Sequence, residues 1–209
     1  MRGSLFRLAT TSRHVGRYRD FARFLLCGAF YQAGVAVVIA LAAIYAQQVM
    51  NFSVLQTMLL VIIVNITAAI GAFAFGYVQD ALGHKRALAL TLLLWIAMTM
   101  IASMATTPAL FWVSANLAGL AMGSSQSAGR AMVGVFAPIS RLAEFYGLWT
   151  LSVQVAAIAG PLTYGAVVYL TNNNHRLGMM ITGAFFVVGL LLIASIDIDR
   201  GRRAAADAA

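Results

Sequence analysis

Six apolar runs, at residues 24–46, 54–77, 87–105, 109–136, 145–170 and 177–196, fill most of the chain. Short connectors at 47–53, 78–86, 106–108, 137–144 and 171–176 separate them. A bilayer core of about 30 Å is crossed by about 20 apolar residues in a helix, so each run predicts one spanning helix. None alternates apolar and polar residues as a barrel strand does, and helices satisfy their own backbone groups in lipid. The pattern predicts an all-α membrane protein. A basic cytoplasmic or interfacial segment occupies 1–23, a six-helix bundle 24–196, and a disordered cytoplasmic tail 197–209.

Of the 209 residues, 62% are hydrophobic and 10% charged, with a mean hydropathy of +0.87. A soluble domain is about half apolar and about a quarter charged, so an ordinary soluble enzyme and a disordered chain are both excluded. Cys27 is the sole cysteine, which excludes a disulfide framework and a multi-cysteine metal site. The first apolar run is too long for a signal-peptide core and ends without a small-x-small cleavage site, so it reads as a retained helix.

The formal charge of +8 matters less than where it lies. Arg2, Arg7, Arg13, Arg17, Arg19 and Arg23 precede the first run, and Lys85 and Arg86 follow the second. Arg130 and Arg141 flank the turn after the fourth, and Arg200, Arg202 and Arg203 follow the sixth. Cytoplasmic loops collect such residues. Arg176 is the one basic residue left for the other side. Six transmembrane helices with cytoplasmic N and C termini follow. Phe6, Leu8, Val15, Tyr18 and Phe21 lie among the first arginines, a pattern open to a short interfacial helix or a solvated lead-in.

Apart from Arg130, near the end of the fourth run, the polar groups inside the runs are few and uncharged. Tyr31, Gln32 and Tyr45 lie in the first, Asn65 in the second, Asn116 and Gln126 in the fourth, and Gln154 in the fifth. Each alone reads more readily as an interhelical hydrogen bond than as a solute contact. As a set they are the candidates for a substrate cavity. Small residues recur at four-residue spacing: Ala68, Ala72 and Gly76 in one run, Gly119, Gly123 and Ser127 in another. Such stripes let helices approach closely and read first as packing seams. Gly160-Pro161 is a candidate helix break, since proline removes a backbone donor.

Reactive chemistry is scarce. His14, His84 and His175 fall in connectors or tails, and no carboxylate pair lies deep in a run. There is no HExxH, no nucleophile beside a base and no phosphate-binding glycine loop. No enzyme activity, cofactor or metal is expected, and no solvent-facing basic domain offers a nucleic-acid interface.

The most specific segment is Gly76-Tyr77-Val78-Gln79-Asp80-Ala81-Leu82-Gly83-His84-Lys85-Arg86. It resembles the major facilitator superfamily signature G-x-x-x-D-x-x-G-x-[KR]-[KR], which joins the second and third helices of a six-helix half. Tyr31 to Tyr45, Gly71-Ala72-Phe73, Gly123 through Gln126-Ser127 to Arg130, and Ala143-Glu144-Phe145-Tyr146-Gly147-Leu148 resemble the vacuole-effluxer branch. That branch includes autophagy-related amino-acid permeases of fungal vacuoles and bacterial homologues.

The resemblance implies the C-terminal half of a twelve-helix transporter. A small solute, with an amino acid as the branch's candidate, would move by alternating access together with a second six-helix half, either a copy of this chain or a separately encoded one. The expected setting is the lipid bilayer of a bacterial inner (plasma) membrane, and the expected cargo is a small-molecule solute. The alternative is a non-transporting scaffold or assembly subunit, or a truncated half-transporter. One departure concerns coupling: the branch often carries an acid in an Asn-Asp-Gly-like segment, and here the stretch reads Tyr31-Gln32-Ala33-Gly34. The signature further implies a gating cluster of Asp80, Gly83, Lys85, Arg86, Arg130 and Glu144. In it Arg130 pairs with the two acids, because unpaired charge near lipid is costly.

Overall fold

The computed structural model describes residues 18–207, in which seven α-helices occur. They are α1 (Arg19–Met50), α2 (Val54–Leu82), α3 (His84–Met104), α4 (Pro108–Phe136), α5 (Leu142–Leu170), α6 (His175–Ala194) and α7 (Ile198–Ala206). A 3₁₀ turn, Ile139–Arg141, leads into α5.

Local chemistry sets the boundaries. Ser53 and Gln56 form a reciprocal capping box at the start of α2. Thr107 caps α4 with Pro108 in its first turn, and Asn174 caps α6. Gly83 alone links α2 to α3, at φ 81°, a conformation that favours glycine.

Five of the helices, α1, α2, α3, α5 with its leading turn, and α6, are long and apolar enough to cross a membrane. The fourth predicted run forms α4, which is as long as α2 but less apolar. Asn116, Ser124, Ser125, Gln126 and Ser127 lower its hydropathy. Those residues suit its position, because α4 packs along both α2 and α3. Ser124 accepts from Thr91 at 3.0 Å, and Ser125 lies 3.5 Å from the Trp95 indole nitrogen.

The two small-residue stripes meet each other. A methyl at Gly123 would overlap the Ala68 carbonyl, and one at Gly119 would overlap Thr67. The seam reading therefore holds at Ala68, Ala72, Gly119 and Gly123, though not at Gly76, and it brings α2 and α4 into close contact. Elsewhere α5 packs on α1, while α6 packs on α1 and α3. Aromatic pairs fill the middle: Phe24 stacks on Trp149 at 5.1 Å, and Trp95 on Phe186 at 4.9 Å.

Two expectations are corrected. The segment 197–209 is not simply a disordered tail, because it holds α7. Asp197 caps that helix, and Gly201 and Ala205 are buried, Gly201 against Phe136 of α4. Nor is Gly160-Pro161 a break, since α5 runs unbroken from Leu142 to Leu170. One missing backbone donor is tolerated where neighbouring helices hold the segment, and Gly160 sits against the backbone of Ala33 in α1. The idea of an interfacial helix among the first arginines falls mostly outside the described residues. Tyr18 and Phe21 are the exceptions, and Phe21 belongs to α1.

Candidate functional site

Helix α2 packs chiefly on α4, and α5 chiefly on α1, while α1 and α4 also touch each other. No substantial packing joins α2 to α5. These two helices are also the least buried of the candidate spans. Phe73 and Tyr77 on α2 and Leu162 and Tyr169 on α5 are exposed.

The predicted cavity residues do not form one cluster. Tyr45 and Asn65 line a shared cavity of about 360 Å³. The Tyr45 hydroxyl donates to the Ala102 carbonyl at 2.8 Å, and Asn65 donates to Val61 in its own helix at 2.8 Å. Asn116 likewise donates to Trp112 in its own helix, at 2.8 Å. Tyr31 is fully buried beside Gly129 and Trp149, and its hydroxyl has no hydrogen-bond partner among the described residues. Gln32 is buried, Gln126 half-buried and Gln154 exposed, and none of the three lines the cavity.

The signature residues gather at one end with the basic loops. Asp80 and Arg86 are exposed, as is Arg130, whose carbonyl accepts from the Tyr146 hydroxyl at 3.1 Å. No ion pair joins Asp80 to Arg130 among the described residues. Glu144 pairs with Arg141 at 3.3 Å, three residues away on the turn. The expected pairing of Arg130 with both acids is thus not assembled in this conformation. These groups sit on three different helix ends, so their approach depends on how the ends are set relative to one another.

Lys85 has a role that its place in the signature did not reveal. Its ammonium donates to the carbonyls of Ala194 at 3.2 Å and Ile196 at 2.6 Å. Arg23 donates to Ser195 at 3.0 Å. Two cations from α1 and α3 therefore satisfy carbonyls at the C-terminal end of α6, where the helix dipole favours positive charge.

Sequence reasoning missed two further groups here. Gln79 donates to Ser127 at 3.1 Å, and its carbonyl oxygen lies 3.1 Å from His84 Nδ1. This ties the α2–α3 turn to α4. Asp20, almost fully buried, accepts two hydrogen bonds of 2.6 Å from Arg200 and one of 3.1 Å from the Asp197 amide. The carboxylate's hydrogen bonds push the Arg200 guanidinium further up from its ordinary range. They also fasten α7 to α1. Nothing in the local sequence marks a pair so far apart in the chain. At the opposite end, Arg176 donates to Ala105 at 2.7 Å, again at a helix C-terminus.

Among the described residues no group of three or more His, Cys, Asp or Glu side chains is placed to hold a metal. The arrangement offers a largely apolar cavity and an end fastened by charged hydrogen bonds.

Comparison with known proteins agrees with that architecture. A bacterial homologue of the human lysosomal transporter Spinster, crystallised inward-facing and unoccupied, superposes with a TM-score of 0.64 at 14% identity. The match covers 93% of this chain and 50% of that one. The uncharacterized MFS-type transporter YxiO of Bacillus subtilis (strain 168) is 23% identical over 92% of this chain and 45% of its own length. Autophagy-related protein 22-1 of Penicillium rubens is 24% identical over 94% of this chain and 35% of its own. The chain thus spans less than half the length of these curated relatives. The family model described as "Vacuole effluxer Atg22 like" matches residues 3–206. The chain therefore belongs to the vacuole effluxer Atg22-like branch of the major facilitator superfamily transporters.

Proposed function

We propose that this chain is one six-helix body of a facilitator-type transporter, moving a small solute across a membrane by alternating access with a second six-helix body. All six long helices, α4 included, cross the membrane in this reading, with the basic end cytoplasmic. An amino acid is the candidate solute because of the branch's vacuolar permeases, and a bacterial inner membrane is the candidate location.

The observation that carries the reading is the exposed apolar surface of α2 and α5. Phe73 and Tyr77 on α2 and Leu162 and Tyr169 on α5 are large and uncovered. A second body seated on α2 and α5 would cover that surface and enclose a central cavity between the two bodies, as two rocking halves require. Asp80 and Arg130, unpaired with one another in this conformation, would come together in another, which would make the signature a gate.

The experiment is cysteine cross-linking at Phe73 and Leu162 in native-like lipid, combined with solute counterflow. Cross-links to a second six-helix body, with counterflow lost when they form, are expected. A lone bundle that still transports overturns the reading.

A further inference from the structure

We infer that the cavity between α1, α2, α3 and α4, with Met179 of α6 in its wall, is a binding site for an uncharged, apolar molecule such as an alkyl chain, formed within this one six-helix body. The inference stands apart from transport, because it concerns occupancy of a cavity that the single bundle already contains.

Size comes first. The cavity measures about 360 Å³. An engineered interior cavity of about 150 Å³ already takes up benzene, and ligand pockets begin at about 300 Å³.

Chemistry comes second. No charged side chain and no histidine lines the cavity. Of its polar neighbours, Tyr45 donates to Ala102, Asn65 to Val61, and Ser114 to Phe111. The Trp95 indole nitrogen faces Ser125. Each of these groups donates one hydrogen bond within the protein, and Asn65, which is exposed, keeps its second amide N–H and its carbonyl oxygen. A carboxylate or ammonium would enter without a counter-charge, which is costly in a low-dielectric site.

Shape comes third. Trp95, Met98, Phe111, Met122 and Met179 supply apolar surface, and thioether side chains adapt to varied guests. Ile39 and Val61, which are exposed, mark the side of the cavity that reaches the surface between α1 and α2. A guest can thus come free from solution or from the bilayer, and the test separates these sources.

Trp95 reports occupancy because it lines the cavity and is otherwise fully buried. The chain, with Trp112→Phe and Trp149→Phe, is reconstituted into nanodiscs and titrated with bromooctane, whose bromine quenches indole on contact. A parallel arm uses phosphatidylcholine with brominated acyl chains and no free probe. Saturable quenching of Trp95 is expected in one arm. Bromooctane quenching identifies a free apolar guest, and quenching only by brominated lipid identifies a membrane acyl chain. Filling the cavity with Ala42→Phe or Ala118→Leu should abolish the saturable phase while the helical circular dichroism is kept. Bromooctanoate at neutral pH should quench far less than bromooctane. No quenching in either arm, equal quenching by the charged and uncharged probes, or quenching indifferent to a folded cavity-filling variant would each overturn the inference.

Discussion

Asp80 stands exposed at the end of α2, without an ion pair among the described residues. Its removal therefore costs this conformation little. Asp80→Asn is expected to shift unfolding stability by no more than about 0.5 kcal/mol, the usual range for a surface change. If the proposed gate exists, the same variant should slow solute counterflow severalfold, and Arg130→Gln should restore part of the loss. Wild-type counterflow in Asp80→Asn would remove the gate from the mechanism. Gly83 differs, since at φ 81° a side chain is strained even though a methyl there would meet open space. Gly83→Ala is expected to lower stability by about 1 kcal/mol, read from the thermal midpoint.

At the scale of elements, the α2–α4 seam discriminates between glycines that the sequence presents as equivalents. Gly123 lies against the α2 backbone at Ala68 and Ala72, whereas a methyl at Gly76 would meet nothing within 4 Å. Gly123→Ala should destabilise by about 1–3 kcal/mol, because overpacking forces two helices apart. Gly76→Ala should be neutral or raise stability by up to about 1 kcal/mol, since alanine is the better helix former. The thermal midpoints of the two purified variants decide it, and equal losses would contradict the seam. The stripes themselves were legible as spacing. Which members bear contact was not, because a one-dimensional repeat does not record where two helices cross.

The whole molecule has two chemically different ends. Arg23, Lys85 and Arg200 gather at one, through bonds to α6 and Asp20, while Arg176 closes the other. Single cysteines at His84 and His175, in a Cys27→Ser background, should label from opposite sides of the membrane. Labelling of both from one side would refute the six-span topology. Cys27 donates to the Gly189 carbonyl at 3.2 Å within the core, so serine keeps a donor there.

Apolar run length and the placement of arginines determined, without any tertiary information, where the long helices lie and which of their ends carry charge. The signature around Asp80 and Gly83 pointed to the superfamily, because its turn chemistry is local. Tyr45 and Asn65 stood out in the sequence because uncharged polar groups are conspicuous in apolar helices. Tertiary structure alone decided that they share a cavity, that Tyr31 is enclosed by Gly129 and Trp149, and that Gln126 and Gln154 lie elsewhere. It also decided that Asp20 holds Arg200, a pair 180 positions apart in the chain. The physical reason is the same in each case: helix formation depends on neighbours in sequence, whereas contact across a bundle depends on how whole helices rotate and cross.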